Sequence, residues 1–278
     1  MDYTNELIDI AINEDIGDGD HTSLSCIPAD ARGKAQLLVK ENCIIAGVDL
    51  AKVIFNKIDS KLIFTSLIND GEAVSVGDIV FTIEGSSQTI LQAERLVLNF
   101  MQRMSGIASN TNLYVSLLDG LDTKVLDTRK TTPGLRTIEK LAVKIGGGEN
   151  HRIGLYDMIM IKDNHIDYAG GIEAAITSTK KYLSKNNKDL KIEVEARNLN
   201  ELNEILAVGG INRIMLDNFS FEDIRTAVKL INNKYETEAS GGITFETLRE
   251  YAECGVDYIS VGALTHQINS IDLSLKAI

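Results

Sequence analysis

The spacing of hydrophobic positions changes at about residue 90, which indicates two kinds of architecture in one chain. Between Gly33 and Ser86 the apolar residues form short or alternating runs, such as Ala35–Val39 and Ile79–Ile83, separated by turn signals. Such runs are typical of short strands in a partly buried sheet. An apolar stretch at Asp49–Ile58 has helical spacing, so this segment predicts a small unit of sheet and helix.

Two more helices are predicted around this unit. Asn5–Asn13 has an apolar side and leads into Glu14–Asp20, whose glycines and acidic residues indicate a loop. Residues from Leu91 to about Leu118 keep near-helical spacing, which predicts a long helix. Gly106 lies inside it, and a glycine there makes a break or kink possible.

The remainder of the chain alternates between predicted strands and predicted helices. Six short apolar runs each end in a polar residue or a glycine: Lys124–Leu126, Met158–Ile161, Ile192–Val194, Arg213–Leu216, Tyr235–Ala239 and Tyr258–Val261. Helical stretches lie between most of them: Ile172–Leu183, Leu199–Ala207, Phe221–Ile231 and Phe245–Glu253. The later strand ends recur every 22 or 23 residues. This spacing fits β/α units in a parallel sheet, either open or closed as a barrel, and six strands predict an incomplete barrel.

Composition narrows the classes of function. The 278 residues carry a formal net charge of −12, which argues against a general affinity for nucleic acid or for an anionic membrane. No apolar run approaches the roughly 18 residues that span a bilayer. Cys26, Cys43 and Cys254 lie far apart and form no CxxC pair, so we expect reduced cysteines and a cytoplasmic protein rather than a zinc site or disulfide scaffold.

One window runs against this acidic background. Residues 129–165 contain seven Lys or Arg against four Asp or Glu, and two of the four histidines. A charged loop in solvent would show the same composition, but these cations follow apolar strands, where the mouth of a barrel would collect them. We therefore predict an anion pocket. Its members are Arg129, Lys130, His151, Arg152 and Lys162, with the triple glycine 146–148 in a loop that approaches a ligand.

Two carboxylates follow the next strands. Glu195 and Asp217 stand at successive strand ends, in register with Lys162. They could hold Mg²⁺ through water, accept hydrogen bonds from ribose hydroxyls, or stabilise a developing cation. Capping of the following helices is the alternative interpretation.

Glycines follow the last two strands. Ser240, Gly241 and Gly242 come after one strand, and Gly262 after the next, each before a possible helix start. Backbone N–H groups in such loops bind phosphate, and barrels often place a phosphate site there. His266 lies just beyond and could face the same anion, whereas His21 carries no such indication.

With these residues stated, the chain resembles the quinolinate phosphoribosyltransferase family. The resemblance extends in order over nearly the whole sequence, and its most distinctive segments are 127–134 (DTRKTTPG), 146–152 (GGGENHR) and 161–165 (IKDNH). It implies an α/β fold, with an N-terminal α/β sandwich packed on an incomplete (β/α) barrel. It also implies residues 1–103, joined by 268–278, for the first domain and 104–267 for the second, with assembly as a homodimer or as a higher assembly of dimers.

The resemblance implies a reaction and a role for each site residue. Quinolinate would condense with phosphoribosyl pyrophosphate in the presence of Mg²⁺, giving nicotinate mononucleotide, pyrophosphate and CO₂, a step of NAD biosynthesis. Arg129, His151 and Arg152 would hold the quinolinate carboxylates, with Arg95 reaching in from the neighbouring subunit. Lys130 and Lys162 would lie between the substrates. Glu195 and Asp217 would face the ribose and its metal, and Ser240, Gly241, Gly242, Gly262 and His266 would bind the 5′-phosphate.

Three other functions stay open at this point. A related phosphoribosyltransferase could use nicotinate, or belong with the molybdenum-transport-associated relatives of the family. A barrel without catalysis could bind sugar phosphates. A phosphate-binding synthase or aldolase would need a Schiff-base lysine, for which Lys162 is the candidate.

Overall fold

The structure, a computed structural model, describes residues 3–278. The chain divides into two compact units: the first comprises the residues up to 113 with 130–148 and 263–278, and the second comprises 114–129 with 149–262. The division at 103/104 and 267/268 stays a prediction about the domains.

The elements of the first hundred residues are mostly short. In chain order they are α1 (Thr4–Ile16), α2 (His21–Cys26), β1 (Arg32–Val39), β2 (Cys43–Ile44), α3 (Val48–Ile58), β3 (Ile63–Ser66), β4 (Ala73–Val74), β5 (Ile79–Ser86) and α4 (Ser87–Ser116).

The elements that follow alternate between strand and helix. They are β6 (Lys124–Leu126), α5 (Arg136–Ile145), β7 (Ile159–Ile161), α6 (Asp163–Ala169), α7 (Ile172–Lys185), β8 (Ile192–Ala196), α8 (Leu199–Val208), β9 (Arg213–Asp217), α9 (Phe221–Ile231), β10 (Glu236–Ser240), α10 (Leu248–Ala252), β11 (Tyr258–Ser260), α11 (Ala263–His266) and β12 (Leu273–Ala277).

The first unit is built on a four-stranded antiparallel sheet in the order β12-β1-β5-β3. Strand β1 buries alternate residues, Ala35, Leu37 and Val39, so one face of the sheet joins the core. Helix α3 buries Ile54 and Phe55, and Phe55 makes an edge-on ring contact with Phe81 of β5. Apolar burial on one face of each element therefore holds this unit together.

Helix α4 continues through Gly106 without interruption, so the possible kink is not formed. The glycine has a different use. A Cβ at this position would collide with the backbone carbonyl of Asn269. The absent side chain therefore lets the segment before β12 run directly against the helix, where Ile271 N–H donates to the Gln102 carbonyl at 3.0 Å.

The second unit is a parallel sheet of six strands in the order β6-β11-β10-β9-β8-β7. All five residues of β8 are buried, as expected for a strand covered on both faces. Beyond the six strands, a single parallel bridge joins Leu126 to Glu149 at the β6 edge. The prediction of an α/β fold with an unclosed six-stranded parallel sheet is confirmed.

The predicted strands and long helices are confirmed to within a few residues, and several short helices were missed. Helix α1 runs on to Ile16, into the predicted loop, and α10 is shorter than the predicted Phe245–Glu253. Helices α2, α5 and α6 were not predicted, whereas α11 begins at Ala263, directly after Gly262, where a helix start was expected. Helix α5 matters most, because Arg136, Lys140 and Lys144 belong to it rather than to a loop at a strand end. Across residues 3–278, every helix falls short of the length or hydropathy required to cross a membrane.

Candidate active site

The parallel sheet of the second unit places one predicted site residue at the end of each strand. Arg129 follows β6, Lys162 follows β7, Glu195 and Asp217 lie at the ends of β8 and β9, Ser240 ends β10 and Gly262 follows β11. Strand register brings these ends side by side: Asp217 pairs with Ser240, and Ile161, just before Lys162, pairs with Val194. Six residues predicted from the sequence are thus collected at the carboxyl edge of one sheet.

Lys162, Glu195 and Asp217 form an electrostatic group at this edge. The Nζ of Lys162 lies 3.5 Å from Oε2 of Glu195, whose side chain is almost fully buried. Burial raises the pKa of the Glu195 carboxyl; the Lys162 charge opposes this, and the Asp217 charge adds to it. Two carboxylates and one ammonium group therefore act on each other's charge at this edge of the sheet, an arrangement that suits a cationic or phosphate-bearing ligand.

Asp127, directly after β6, holds the segment that carries the next two cations. Its buried carboxylate accepts the N–H of His151 at 2.8 Å and the side-chain amide of Asn150 at 2.6 Å. The segment also runs beside β6, since Glu149 N–H donates to the Val125 carbonyl at 2.8 Å. Asp127 therefore fixes the position of the backbone that follows the triple glycine 146–148 and carries His151 and Arg152.

Arg129 and Arg152 lie close enough to repel each other. Burial lowers the pKa of the Arg152 guanidinium, and the charge of Arg129 lowers it further. The Nη1 of Arg152 donates to the Met158 carbonyl at 3.2 Å. Arg152 also lines a cavity of about 380 Å³ beside β7, together with His165 and apolar side chains. Repulsion between two arginines is relieved when an anion binds both, so this pair favours a carboxylate or phosphate ligand.

His151 is buried beneath this pair rather than exposed. Its Nε2 lies 3.0 Å from Oε2 of Glu193 and 3.1 Å from Oε2 of Glu238. Its Nδ1 accepts the N–H of Arg152 at 2.6 Å. Arg213 completes the group, with Nη1 3.3 Å from the same Glu238 oxygen. The four side chains form a buried ion cluster, in which Nδ1 of His151 accepts a hydrogen bond and Nε2 lies at ion-pair distance from two carboxylates, without hydrogen-bond geometry.

Opposing effects act on the titration of this cluster. Burial disfavours the charged form of His151, but the nearby carboxylates of Glu193 and Glu238 outweigh it and raise the pKa of His151 to about 9. A second ring proton would have to sit on Nδ1 and would break the bond from Arg152, which resists this rise. Burial, with Glu238 as neighbour, raises the pKa of Glu193 to about 7. For Glu238 itself, His151 and Arg213 outweigh burial and lower the pKa.

The loop after β10 requires glycine at one position. Gly241 has φ +93°, and a Cβ there would collide with the side chain of Asn218. Asn218 is itself held by β10, because its N–H donates to the Ser240 carbonyl at 2.9 Å. The helix predicted to follow these glycines, Phe245–Glu253, begins only at Leu248, six residues after Gly242. The backbone N–H groups of the loop 240–242 could therefore bind an anion, but no helix N-terminus directly follows them to add its dipole.

The remaining predicted residues, Arg95, Lys130 and His266, belong to the first unit. Arg95 is exposed on α4, and His266 is exposed at the end of α11. Lys130 is also exposed, and its carbonyl accepts the hydroxyl of Thr265 at 2.9 Å.

A buried ion pair supports the segment after Lys130. Arg103 Nε donates to Glu139 Oε1 at 2.8 Å, and Glu139 is fully buried. The other oxygen of Glu139 accepts the N–H of Thr132 at 3.1 Å, while Arg103 Nη2 donates to the Thr132 hydroxyl at 2.8 Å. Glu139 thus ties α4, α5 and the loop 130–134 together.

The capping interpretation of Glu195 and Asp217 is not supported. Helix α8 is capped by Asn198, whose side chain accepts the N–H groups of Asn200 and Glu201, and α9 is capped by Ser220. Asp217 instead accepts the side-chain amide of Asn218 at 2.6 Å. Neither carboxylate therefore caps the helix that follows its own strand, although Glu195 accepts the N–H of Asp163 at the start of α6.

Sequence reasoning missed Asp127, Glu193, Arg213 and Glu238 as parts of the site. A signal was present in the period of two along a strand. Glu193 lies two residues before Glu195, and Glu238 lies two before Ser240, so each points to the same side as the residue at the strand end. Charged residues at these positions inside apolar strands mark a polar layer beneath the site.

Two sets of side chains have donors that suit a metal ion. Glu195 and Asp217 offer hard carboxylate oxygens, and the repulsion between them favours a divalent cation with water and phosphate as further ligands. Over residues 3–278, the one group of at least three clustered donor residues is His151, Glu193 and Glu238. In that group the Arg213 guanidinium already supplies positive charge.

Comparisons with known proteins agree along the whole chain. Residues 20–105 match the family described as quinolinate phosphoribosyl transferase, N-terminal domain, and residues 107–276 match its C-terminal domain. The chain is 46% identical over 285 residues to quinolinate phosphoribosyltransferase [decarboxylating] 1b of Nicotiana tabacum, covering 97% of this chain and 81% of that protein.

Two bacterial proteins give the same picture. The probable nicotinate-nucleotide pyrophosphorylase [carboxylating] of Bacillus subtilis is 43% identical over 262 residues, covering 94% of this chain and 89% of the relative. The crystal structure of NadC from Streptococcus pyogenes is 38% identical and superposes with a TM-score of 0.92, covering 99% of this chain and 96% of that one.

Proposed function

Because this chain belongs to the quinolinate phosphoribosyltransferase family, we propose that it transfers the phosphoribosyl group of phosphoribosyl pyrophosphate to quinolinate. The products are nicotinate mononucleotide, pyrophosphate and CO₂, a step of NAD biosynthesis. The observation that carries this proposal is the collection of Arg129, Lys162, Glu195, Asp217, Ser240 and Gly262 at the carboxyl edge of one parallel sheet, in a chain of net charge −12. The charges of Arg129 and Arg152 also act on each other, and two such guanidinium groups suit a substrate with two carboxylates.

The chemistry follows from the charges at the strand ends. The pyridine nitrogen of quinolinate attacks C1 of the ribose, and the bond from C1 to pyrophosphate breaks with its electron pair. Positive charge develops on the ribose, where Glu195 and Asp217 offset it. Lys130 and Lys162 stabilise the departing pyrophosphate. The alkylated ring then accepts the electron pair of the C2–carboxylate bond, CO₂ leaves, and a proton takes its place at C2.

No side chain is needed as a nucleophile in this scheme. The arginines hold the carboxylates so that nitrogen faces C1, and positioning of two reactants supplies a large part of such accelerations. The loop 240–242 and Gly262 would bind the 5′-phosphate through backbone N–H groups. Glu195 and Asp217 are the residues that would hold Mg²⁺, which would neutralise charge on the pyrophosphate.

A product assay tests the activity directly. Purified protein is given quinolinate and phosphoribosyl pyrophosphate, with and without Mg²⁺, and nicotinate mononucleotide, pyrophosphate and CO₂ are measured. We expect all three in equal amounts, and a Lys130→Ala variant should lose most turnover. Release of none of them would reject the proposal and favour a binding protein without catalysis.

The same assay with nicotinate separates the related enzymes. Nicotinate has one carboxylate and loses no CO₂, so the two-arginine pocket should use it poorly. Equal use of nicotinate would reject the dicarboxylate substrate. A Schiff-base mechanism at Lys162 predicts covalent trapping by borohydride with a carbonyl substrate, which the proposed reaction does not.

We also propose a homodimer, or an assembly of dimers, in which Arg95 acts in the neighbouring subunit's site. Its exposure on α4 is compatible with this role. Inactive Arg95→Ala and inactive Lys162→Ala proteins should recover partial activity when mixed, because one mixed site then keeps both residues. Absence of recovery despite demonstrated subunit exchange would place Arg95 in its own subunit's site.

A cytoplasmic location is part of the proposal. The three cysteines are unpaired, with Cys43 and Cys254 buried and Cys26 exposed, which suits a reducing compartment. The mitochondrial and chloroplastic names of some plant relatives describe those proteins. Cell fractionation with an antibody to the protein would test the location.

A further inference from the structure

Asn218 leaves strand β9 with an unusual backbone conformation. Its φ is +55°, in the left-handed region that few residues other than glycine adopt. Within residues 3–278, the other non-glycine residues with positive φ are Asn187, Asn232 and Asn233, and all three lie where helices α7 and α9 end. Left-handed residues commonly end helices, but Asn218 follows a strand, next to a predicted site residue. Its conformation therefore needs another explanation.

The left-handed turn brings the side chain of Asn218 onto that of Asp217. In an extended strand, neighbouring side chains point to opposite faces and do not meet. Here the Nδ2 of Asn218 donates to Oδ2 of Asp217 at 2.6 Å. Oδ1 of Asp217 accepts no hydrogen bond from residues 3–278. One carboxylate oxygen is therefore held by the protein, while the other stays open to a ligand.

Strand β10 and the loop after it hold Asn218 in this position. Its backbone N–H donates to the Ser240 carbonyl at 2.9 Å, and Asp217 pairs with Ser240 in the sheet. Its side-chain amide lies against the backbone of Gly241, because a Cβ at that glycine would collide with Oδ1, Cγ and Nδ2 of Asn218. The amide that binds Asp217 is thus supported by the loop that is predicted to bind phosphate.

Resting on the proposed function, we propose that Asn218 is a positioning residue, which orients the Asp217 carboxylate toward the ribose and Mg²⁺ of bound phosphoribosyl pyrophosphate. Glycine would adopt the left-handed backbone without an amide, and most other side chains would strain that backbone. Asparagine tolerates the conformation and also supplies the donor. Because the amide rests on Gly241, it fixes the carboxylate relative to the loop 240–242. The ribose and the 5′-phosphate of one substrate are then bound in a single geometry.

Asn218→Gly tests the amide while it keeps the backbone conformation. We expect Kd for phosphoribosyl pyrophosphate with Mg²⁺, measured by calorimetry, to rise about tenfold, because a hydrogen bond to a charged group is lost. KM for phosphoribosyl pyrophosphate should rise with it, and KM for quinolinate should change less than about twofold. Asn232→Gly is the matched control, since Asn232 has a φ of +49° at the end of α9, before β10 begins. Constants in Asn218→Gly equal to those of the control would overturn the proposal.

A double variant separates positioning from direct contact with the substrate. In an Asp217→Ala background, Asn218→Gly should lower kcat/KM for phosphoribosyl pyrophosphate by less than about twofold further, because the group through which it acts is gone. Release of radiolabelled CO₂ from quinolinate measures such low rates. An amide that itself contacts the substrate predicts that the two losses multiply, and this result would reject the positioning role.

Asn218→Asp decides the case if the melting temperature shows that the glycine variant is unstable. Aspartate tolerates the left-handed region and has nearly the same size, but its carboxylate donates no hydrogen bond to Asp217. It should weaken binding of phosphoribosyl pyrophosphate at least as much as glycine does, and wild-type affinity in this variant would contradict the proposal. Wild-type protein that makes no nicotinate mononucleotide would reject the proposed function, whereas active wild type with unchanged Asn218 variants rejects only the positioning role.

Discussion

The Nζ of Lys162, just after β7, lies 3.5 Å from Oε2 of Glu195, at the end of β8. The carboxylate is buried while the ammonium group is about half exposed. The pair therefore connects a buried carboxylate to a lysine that is exposed at the carboxyl edge of the sheet, where the predicted site residues lie. Each member limits the position of the other. Such a contact is too long to be a strong hydrogen bond, so both groups remain available to a substrate.

Glu195→Gln should reduce kcat about 10²-fold, because the carboxylate that offsets charge on the ribose becomes neutral. KM for quinolinate should change much less. The measurement is steady-state kinetics with both substrates varied. Lys191→Ala is the control, since this exposed lysine lies at the opposite end of the same strand and should leave kcat unchanged.

Asp127→Asn should destabilise the protein by about 1–3 kcal/mol and raise KM for quinolinate. The carboxylate accepts two hydrogen bonds, from His151 N–H and from the Asn150 amide. An amide would offer an N–H group to one of these donors and leave that bond unmade. Urea unfolding and KM measurements check both effects, and a variant with wild-type values for both would show that the tether is dispensable.

Gly241→Ala should raise KM for phosphoribosyl pyrophosphate about tenfold or more, since the new methyl group displaces the Asn218 side chain at the predicted phosphate loop. Gly77→Ala is a matched control: its φ of +98° is similar, but nothing lies within 4 Å of the added carbon. The control carries the backbone strain alone, about 1–2 kcal/mol of stability, with normal kinetics. Similar kinetics in both variants would contradict a role for the loop.

Glu139→Ala should cost about 3–5 kcal/mol of unfolding free energy, because it leaves the Arg103 guanidinium without its buried partner. The double variant Glu139→Ala/Arg103→Met should recover part of this loss, since it removes the uncompensated charge. Denaturant unfolding of the two variants measures both values. Equal stability of single and double variants would show that the remaining arginine is well solvated.

Asp70 predicts a pH dependence of stability. Its carboxylate accepts Val48 N–H at 2.8 Å at the start of α3, and burial raises its pKa above the ordinary value of 3.8. The folded protein then holds this proton more tightly than the unfolded chain, so the contribution is complete below pH 3.8 and is lost as pH rises through the folded pKa.

Asp70→Asn keeps an acceptor for the cap and has no charge to bury. The unfolding free energy of the variant minus that of wild type should therefore increase from about pH 4 to about pH 7. Urea unfolding at several pH values in this range gives the difference directly. A difference that decreases with pH would mean that the pKa of Asp70 is lowered in the folded state.

The sequence predicted what depends on local pattern and on strand order. The six parallel strands follow from apolar runs, and Lys162, Glu195 and Asp217 follow from their place at strand ends. Helix α5 escaped prediction because its cations resembled a charged loop, although Ile138, Ala142 and Val143 give it a buried side.

The strand pattern marks the residues of the polar layer beneath the site, but it could not predict which of them pair with each other. Glu193, Arg213 and Glu238 come from three separate strands, and their pairing depends on a register that no local segment states. From the sequence, Asp127 is likewise one more acidic residue after a strand. Its role follows only from the fold, which brings Asn150 and His151 within hydrogen-bond distance of its carboxylate. Only the folded sheet brings these partners within hydrogen-bond distance.

Strand β12 pairs with β1 along its full length, with Leu275 opposite Leu37. Every strand of the parallel sheet lies between these two in the chain, so the ribosome makes the whole second unit before it makes the last strand of the first. During synthesis, the backbone groups on this edge of β1 therefore remain unpaired until β12 has been translated. Translation order and assembly order therefore differ in this protein, and this edge of β1 stays without its partner until the last residues are made.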